Sequence, residues 1–374
     1  MKVAIAIDSF KGSLSSVAAG EAAAAGVRRV YPDAEVCVRP LADGGEGTVD
    51  ALVAGMGGSR RTVRVTGPAG RPVEATYGIL PGEVAVLEMA AAAGITLVSG
   101  EDRNPLFTTT YGVGEMIADA MAQGCRRFLV GIGGSATNDG GAGMLQALGF
   151  RLLDADGKDI ARGGSALARL ARIEVPSEVK ARLSGVSFSV ACDVTNPLCG
   201  AKGASAVFGP QKGATPEMVA LLDAALAHYA EVAGGEADFP GTGAAGGLGF
   251  AFRRFLDAEL RRGVEIVLAE THLEDYVRDA DVVITGEGRL DAQTVMGKAP
   301  IGVAQLAKRH GKPVLAFSGC VTPEAGVVNA HGIDAFFPIL RTVTTLAEAL
   351  DPQNAAASLS ATVEQVFRVR ACKW

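Results

Sequence analysis

The chain has 374 residues, of which 48% are apolar and 20% charged, so it holds core material for one large domain or two, and global disorder is excluded. A net charge of −6 argues against a nucleic-acid-binding face, which needs a basic surface, yet leaves room for small anions held by local Lys and Arg clusters. The 6 cysteines show no C-x-x-C pair and read as reduced thiols, while 49 glycines imply many positive-φ turns or close backbone approaches.

The first apolar run, KVAIAI, reads as a strand buried on both faces. It stops at Asp8, too soon for a signal peptide, so a cytoplasmic location is expected. The longest apolar stretch, residues 84–98, is broken by Glu88 and Gly94 and is too short to span a bilayer. The loop DSFKGSLSS leads into a helix over 13–30, capped by Ser15 or Ser16. A strand in AEVCVRPL, the loop ADGGEG and a helix from about Thr48 follow. RRTVRVTGPAGRPVEATYGILPGEVAVLEM alternates β-forming residues with Pro–Gly turns, which predicts antiparallel hairpins. RRFLVGIGGSATNDGGAGMLQALG returns to strand, glycine loop, helix. VSFSVACD is a strand that ends at the irregular stretch 193–214, and helices are expected over 216–231 and 251–262. ADVVITGEGRLD reads as strand and loop, followed by a helix over 298–310, strands in PVLAFSG and DAFFPIL, and a closing helix over 355–370. The expected fold class is α/β: a Rossmann-like, doubly wound parallel sheet built from both chain ends (1–62 and 268–374), with an inserted mixed α+β domain (63–267).

Ligands of open parallel sheets bind outside the carboxyl ends of the strands, and five polar, glycine-rich loops fall there. The first holds Asp8, Ser9 and Lys11, a lysine placed to meet an anion at a helix start. The second holds Asp43, Gly44, Gly45 and Glu46, two carboxylates that read either as a cap or as a Mg²⁺ site completed by substrate phosphates. The third holds Gly133, Gly134, Ser135, Thr137 and Asn138, a backbone nest for phosphate oxygens. Asp193 and Asn196 open the irregular stretch, and Lys212 lies near its end. The fifth gathers Glu287, Arg289, Asp291, Thr294 and Lys298, where cations can neutralise charge in phosphoryl transfer and a carboxylate can take a proton. No Walker A motif exists, since Gly297-Lys298 runs into Ala299, and GTGAAG follows no buried strand. His228, His272, His310 and His331 are scattered, which argues against a histidine triad or a zinc site.

DSFKGSL, PLADGGEGT, IGGSATNDGG, CDVTNPLCG, VFGPQKGA, GAAGGLGF and ITGEGRLDAQTVMGKAPIGVA resemble, in order and over essentially the whole chain, the signature segments of the bacterial glycerate kinase family of the glycerate 2-kinase type. Leu41 and Ala201 depart from the family pattern outside the polar set. The resemblance implies ATP- and Mg²⁺-dependent phosphorylation of D-glycerate at its 2-hydroxyl, with D-glycerate and ATP as small-molecule partners and no nucleic acid or membrane, and two α/β-type domains with the active site in the cleft between them. A kinase for another small hydroxy acid, or one that forms 3-phosphoglycerate, is the alternative. By residue chemistry, Lys11, Arg289, Lys298, Lys212 and the 133–138 backbone hold glycerate and the ATP phosphates. Mg²⁺ falls to some of Asp43, Glu46, Asp193 and Asp291, and Asp193 or Asp291 accepts the proton. No pattern in the chain indicates an oligomeric state.

Overall fold

The computed structural model describes residues 1–372. Among these residues the strands run, in chain order, β1 (Lys2–Ile7), β2 (Glu35–Val38), β3 (Ser59–Thr66), β4 (Pro72–Leu80), β5 (Val84–Glu88), β6 (Arg127–Gly131), β7 (Arg151–Leu153), β8 (Arg172–Glu174), β9 (Ser187–Ala191), β10 (Glu259–Arg261), β11 (Val282–Leu290), β12 (Val314–Val321) and β13 (Ala335–Pro338).

The chain divides into two compact units. The first comprises Met1–Asp43, Asp50–Gly57 and the chain from Val264 onward. Its sheet has the order β13-β12-β11-β1-β2 and is parallel throughout. The unbroken apolar run of β1 follows from its interior place between β11 and β2. Val3, Ile5 and Ile7 face one core, shared with Phe317 and the helices Ser16–Val30 and Pro352–Ala371. Ala4 and Ala6 face another, shared with the helices Leu273–Asp279 and Ala299–Arg309. A period of two therefore feeds two layers of helix from one strand. Ser15 caps the first helix, its side chain accepting from the amide of Ala18.

The second unit comprises Gly44–Val49 and Gly58–Gly263. Its sheet has the order β10-β9-β6-β5-β4-β3, parallel from β10 to β5 and antiparallel from β5 to β3, so the Pro–Gly turns make the expected hairpins. Phe128 and Phe188 stack at 4.9 Å within its core.

Three local expectations are corrected. The helix expected over 251–262 falls within Ala244–Leu256 instead, a span kinked at 245–247 and closed by Asp257 at φ 49°, and Glu259–Arg261 leaves it to pair with β9 as β10. GEGRL, read as a loop, continues β11, because the ladder to β12 persists to Arg289↔Cys320 and Leu290↔Val321. The closing helix begins at Pro352, where the Asp351 carboxylate accepts from the amides of Gln353 and Asn354. Among the described residues no helix is long and apolar enough to cross a membrane.

Candidate functional site

In the first unit β1 ends at Ile7, opposite Gly286, and β11 runs on past it to Leu290. Gly288 lets this extension of β11 touch the loop after β1, since a Cβ there would come within 3.3 Å of Phe10 Cα. A pocket of about 410 Å³ opens at this point, and Asp8, Lys11, Asp43, Glu287, Arg289 and Lys298 line its polar side. Ser9 lines it as well, and its amide donates to Asp8 Oδ1 at 2.7 Å.

Burial above all, and then the carboxylates of Asp43 and Glu287, push Asp8 up to about 7 against the opposing pull of the Ser9 amide and Lys11. Glu287 is raised too, again chiefly by burial, although Thr294 and Lys298 oppose the shift. Thr294 is fully buried and ties the loop together: its hydroxyl donates to Glu287 Oε1 at 2.6 Å and accepts from the Asp291 amide at 3.1 Å. Asp291 holds two cations, with Arg289 Nε at 3.3 Å and Lys298 Nζ at 3.5 Å, and Lys298 also stands 3.9 Å from Glu287. The loop thus holds two cations against two carboxylates.

In the second unit the glycine loop after β6 is built from behind. Gly44 fits only without a side chain, since a Cβ would meet Ala191 Cβ at 2.5 Å, and its carbonyl sits where a Cβ on Gly131 would be. Gly45 accepts the Thr48 hydroxyl at 2.8 Å, and Glu46 is exposed. Asp139, fully buried, gathers the amides of Thr110 and Gly141 at 2.8 and 3.1 Å and the Thr110 hydroxyl at 2.9 Å. Behind the loop, the side chains of Thr137, Asn138 and Lys212 turn inward. Thr137 and Asn138 are fully buried, and Asn138 Nδ2 donates to Ser205 Oγ at 2.9 Å. Lys212 is buried as well: its ammonium donates to the Thr137 carbonyl at 2.6 Å, and burial pushes it down to about 7 despite Asp139. Ser135 is nearly buried, which leaves the exposed Gly133 and Gly134 as the open face of the loop. Asp193 accepts from the Gly263 amide at 3.1 Å, and Asn196 donates to the Lys202 carbonyl at 2.8 Å.

Of the four carboxylates assigned to a metal, Asp43 and Asp291 belong to the first unit and Glu46 and Asp193 to the second. Among the described residues no three His, Cys, Asp or Glu side chains converge as a metal cluster. Sequence reasoning missed Gly288, whose signal was the glycine inside a strand, and the apolar side of the first pocket, whose residues carry no local motif.

Against known proteins, residues 3–371 match the model of the glycerate kinase family. A protein of Haemophilus influenzae named glycerate kinase is 51% identical over an alignment of 380 positions that covers all of both chains. One of Escherichia coli named glycerate 2-kinase is 50% identical over 93% of each chain. A crystal structure from Salmonella typhimurium LT2, of a protein provisionally named glycerate kinase 2, superposes with a TM-score of 0.90 at 50% identity, covering 99% of this chain and 98% of the other.

Proposed function

The chain belongs to the glycerate kinase family and is a kinase, and from that premise we propose that it transfers the γ-phosphoryl group of ATP to the 2-hydroxyl of D-glycerate. The observation that carries this reading is the first unit's pocket, where three cations and three carboxylates meet at the ends of parallel strands. Phosphoryl transfer needs positioning and charge neutralisation more than covalent chemistry by the protein. Lys11, Arg289 and Lys298 neutralise the phosphates, and Asp291 and Glu287 keep Arg289 and Lys298 in place until the nucleotide arrives. As the hydroxyl oxygen bonds to the γ-phosphorus and the bridging oxygen leaves with ADP, the hydroxyl proton passes to a carboxylate. Asp8 suits that role because its proton affinity lies near neutrality. Asp193 is the competing acceptor, and Asp291 is reassigned to clamping the cations. Gly133, Gly134 and Ser135 hold the glycerate carboxylate by backbone N–H groups, helped by Asn196, while Thr137, Asn138 and Lys212 hold the loop itself.

Mg²⁺ fits the donor chemistry of this pocket. Burial first, and the Asp43 carboxylate second, disfavour charge on Asp8, and a divalent cation beside Asp43 would offset that. Mg²⁺ takes one or two carboxylates plus phosphate oxygens and needs no closed protein cage, so Asp43 would hold it, with Glu46, Asp193 and Asp291 as further candidates. When bound, the ion draws charge from the β- and γ-phosphate oxygens. The free thiols of the described residues fit a reducing compartment, hence the cytoplasm.

Coupled ADP release with D-glycerate and ATP, with and without Mg²⁺, tests the reaction, and ³¹P NMR of the product tests its position. A 3-phosphoglycerate signal, or faster turnover of a related hydroxy acid such as tartronate, would replace the proposed product or substrate.

A further inference from the structure

The first unit's pocket has two unlike sides. Besides its charged residues, the pocket is lined by the apolar side chains of Phe10, Ile339, Leu340, Leu346 and Leu350, four of which come from the segment 339–350 and form its apolar wall. Leu340, Leu346 and Leu350 are 43%, 76% and 39% exposed, so the chain leaves leucines open to solvent beside a cluster of charges. The wall is braced. Thr345 and Glu348 cap the helix Leu346–Leu350 reciprocally, Thr345 Oγ1 accepting from the Glu348 amide and Glu348 Oε2 from the Thr345 amide.

We propose that this wall receives the adenine ring of ATP, which makes the first unit the nucleotide-binding one and leaves glycerate to the second. The inference rests on the kinase reading above. D-Glycerate carries no apolar group, so a leucine wall does nothing for it. A purine base presents two flat apolar faces, and its removal from water against leucines is favourable. The triphosphate joined to that base is the polyanion that Lys11, Arg289 and Lys298 match, and both halves fall within one cavity of about 410 Å³, inside the size range of small-molecule sites.

Cys320 offers a direct probe, because its exposed thiol lines the same pocket whereas Cys372, also exposed, does not. Alkylation by iodoacetamide, read at each cysteine by peptide mass spectrometry, is expected to slow about ten-fold at Cys320 with ATP or plain adenosine at ten times Kd, and not at Cys372. D-Glycerate alone is expected to leave Cys320 unprotected. Leu346→Asp, at an exposed position where folding tolerates the change, is expected to abolish protection by adenosine. It should also raise KM for ATP about ten-fold, with KM for D-glycerate unmoved. Protection by D-glycerate but not adenosine, or a rise in KM for D-glycerate alone, overturns the assignment. So does a Leu346→Asp protein with normal nucleotide binding, which would leave the wall to a macromolecular partner. The two readings fail separately: adenosine protection without D-glycerate turnover sinks only the function, and turnover without adenosine protection sinks only this site.

Discussion

Asp8 follows the interior strand β1, where burial and two carboxylates outweigh the one amide and one lysine that favour its charge. Its value rises from 3.8 to about 7 on folding, so the folded state keeps a proton that the unfolded chain releases. The stability this carboxyl contributes is present below about pH 4 and is lost as pH rises through 7. Asp8→Asn is therefore expected to be more stable than the parent at pH 8, by about 1–3 kcal/mol, with the gain fading toward pH 4.5 in urea unfolding. The same variant is expected to lose about 10² in kcat, and normal turnover would remove Asp8 from the proton path. Lys212 runs the other way. Its ammonium is held near 7 against 10.5 in the unfolded chain, so the folded state binds fewer protons between those values and gains stability with rising pH. Relative to Lys212→Met, the parent is expected to gain between pH 7 and 9.5; parallel curves would show that burial leaves this lysine unperturbed. Asp291→Asn loosens Arg289 and Lys298 and is expected to cost about 10² in kcat, while stability changes by less than about 1 kcal/mol, since ion pairs open to water contribute little.

Among the elements, the glycine loop after β6 owes its shape to the segment 244–247, three of whose residues, Ala245, Gly246 and Gly247, adopt left-handed φ of 52°, 68° and 92°. The backbone of Gly246 presses so closely on the loop that a Cβ would stand 2.0 Å from the Thr137 carbonyl oxygen. Gly246→Ala is expected to destabilise the protein by about 3 kcal/mol or more and to displace the loop, measurable as a lower unfolding midpoint. Gly133 is the contrasting position, exposed and with no atom within 4 Å of the place a Cβ would take. Gly133→Ala is expected to leave stability within about 0.5 kcal/mol, yet to raise KM for D-glycerate about ten-fold if the backbone there holds the carboxylate. An unchanged KM would send glycerate elsewhere. The existence of this loop was legible in GGSATNDGG, because glycines and capping residues act over a few positions. The inward turn of Thr137, Asn138 and Lys212 was not, because it depends on Ser205 and on residues 244–247, far away in sequence.

At the scale of the whole molecule, β1 pairs with β11, so the first unit closes only when segments some 280 positions apart meet. Long-range pairing of this kind is slow to form, and a ligand that binds only the folded state stabilises it by mass action. ATP at a hundred times Kd is expected to add about 2.7 kcal/mol, visible as a raised thermal midpoint, and Lys298→Ala to lose most of that shift. By itself the sequence determined the alternation of strand and helix, the parallel sheet shared by both chain ends, the hairpins of the second unit and the loops that carry polar residues, since each follows from periodicity or turn chemistry within a dozen residues. Only the tertiary structure decided that GEGRL is a strand, that Glu259–Arg261 leaves its helix to pair with β9, and which polar side chains face a pocket. It alone brought the leucines of 340–350 into one pocket with Asp8 and Lys298. Burial, pairing and charge crowding depend on what the rest of the chain brings alongside, and no local pattern encodes that.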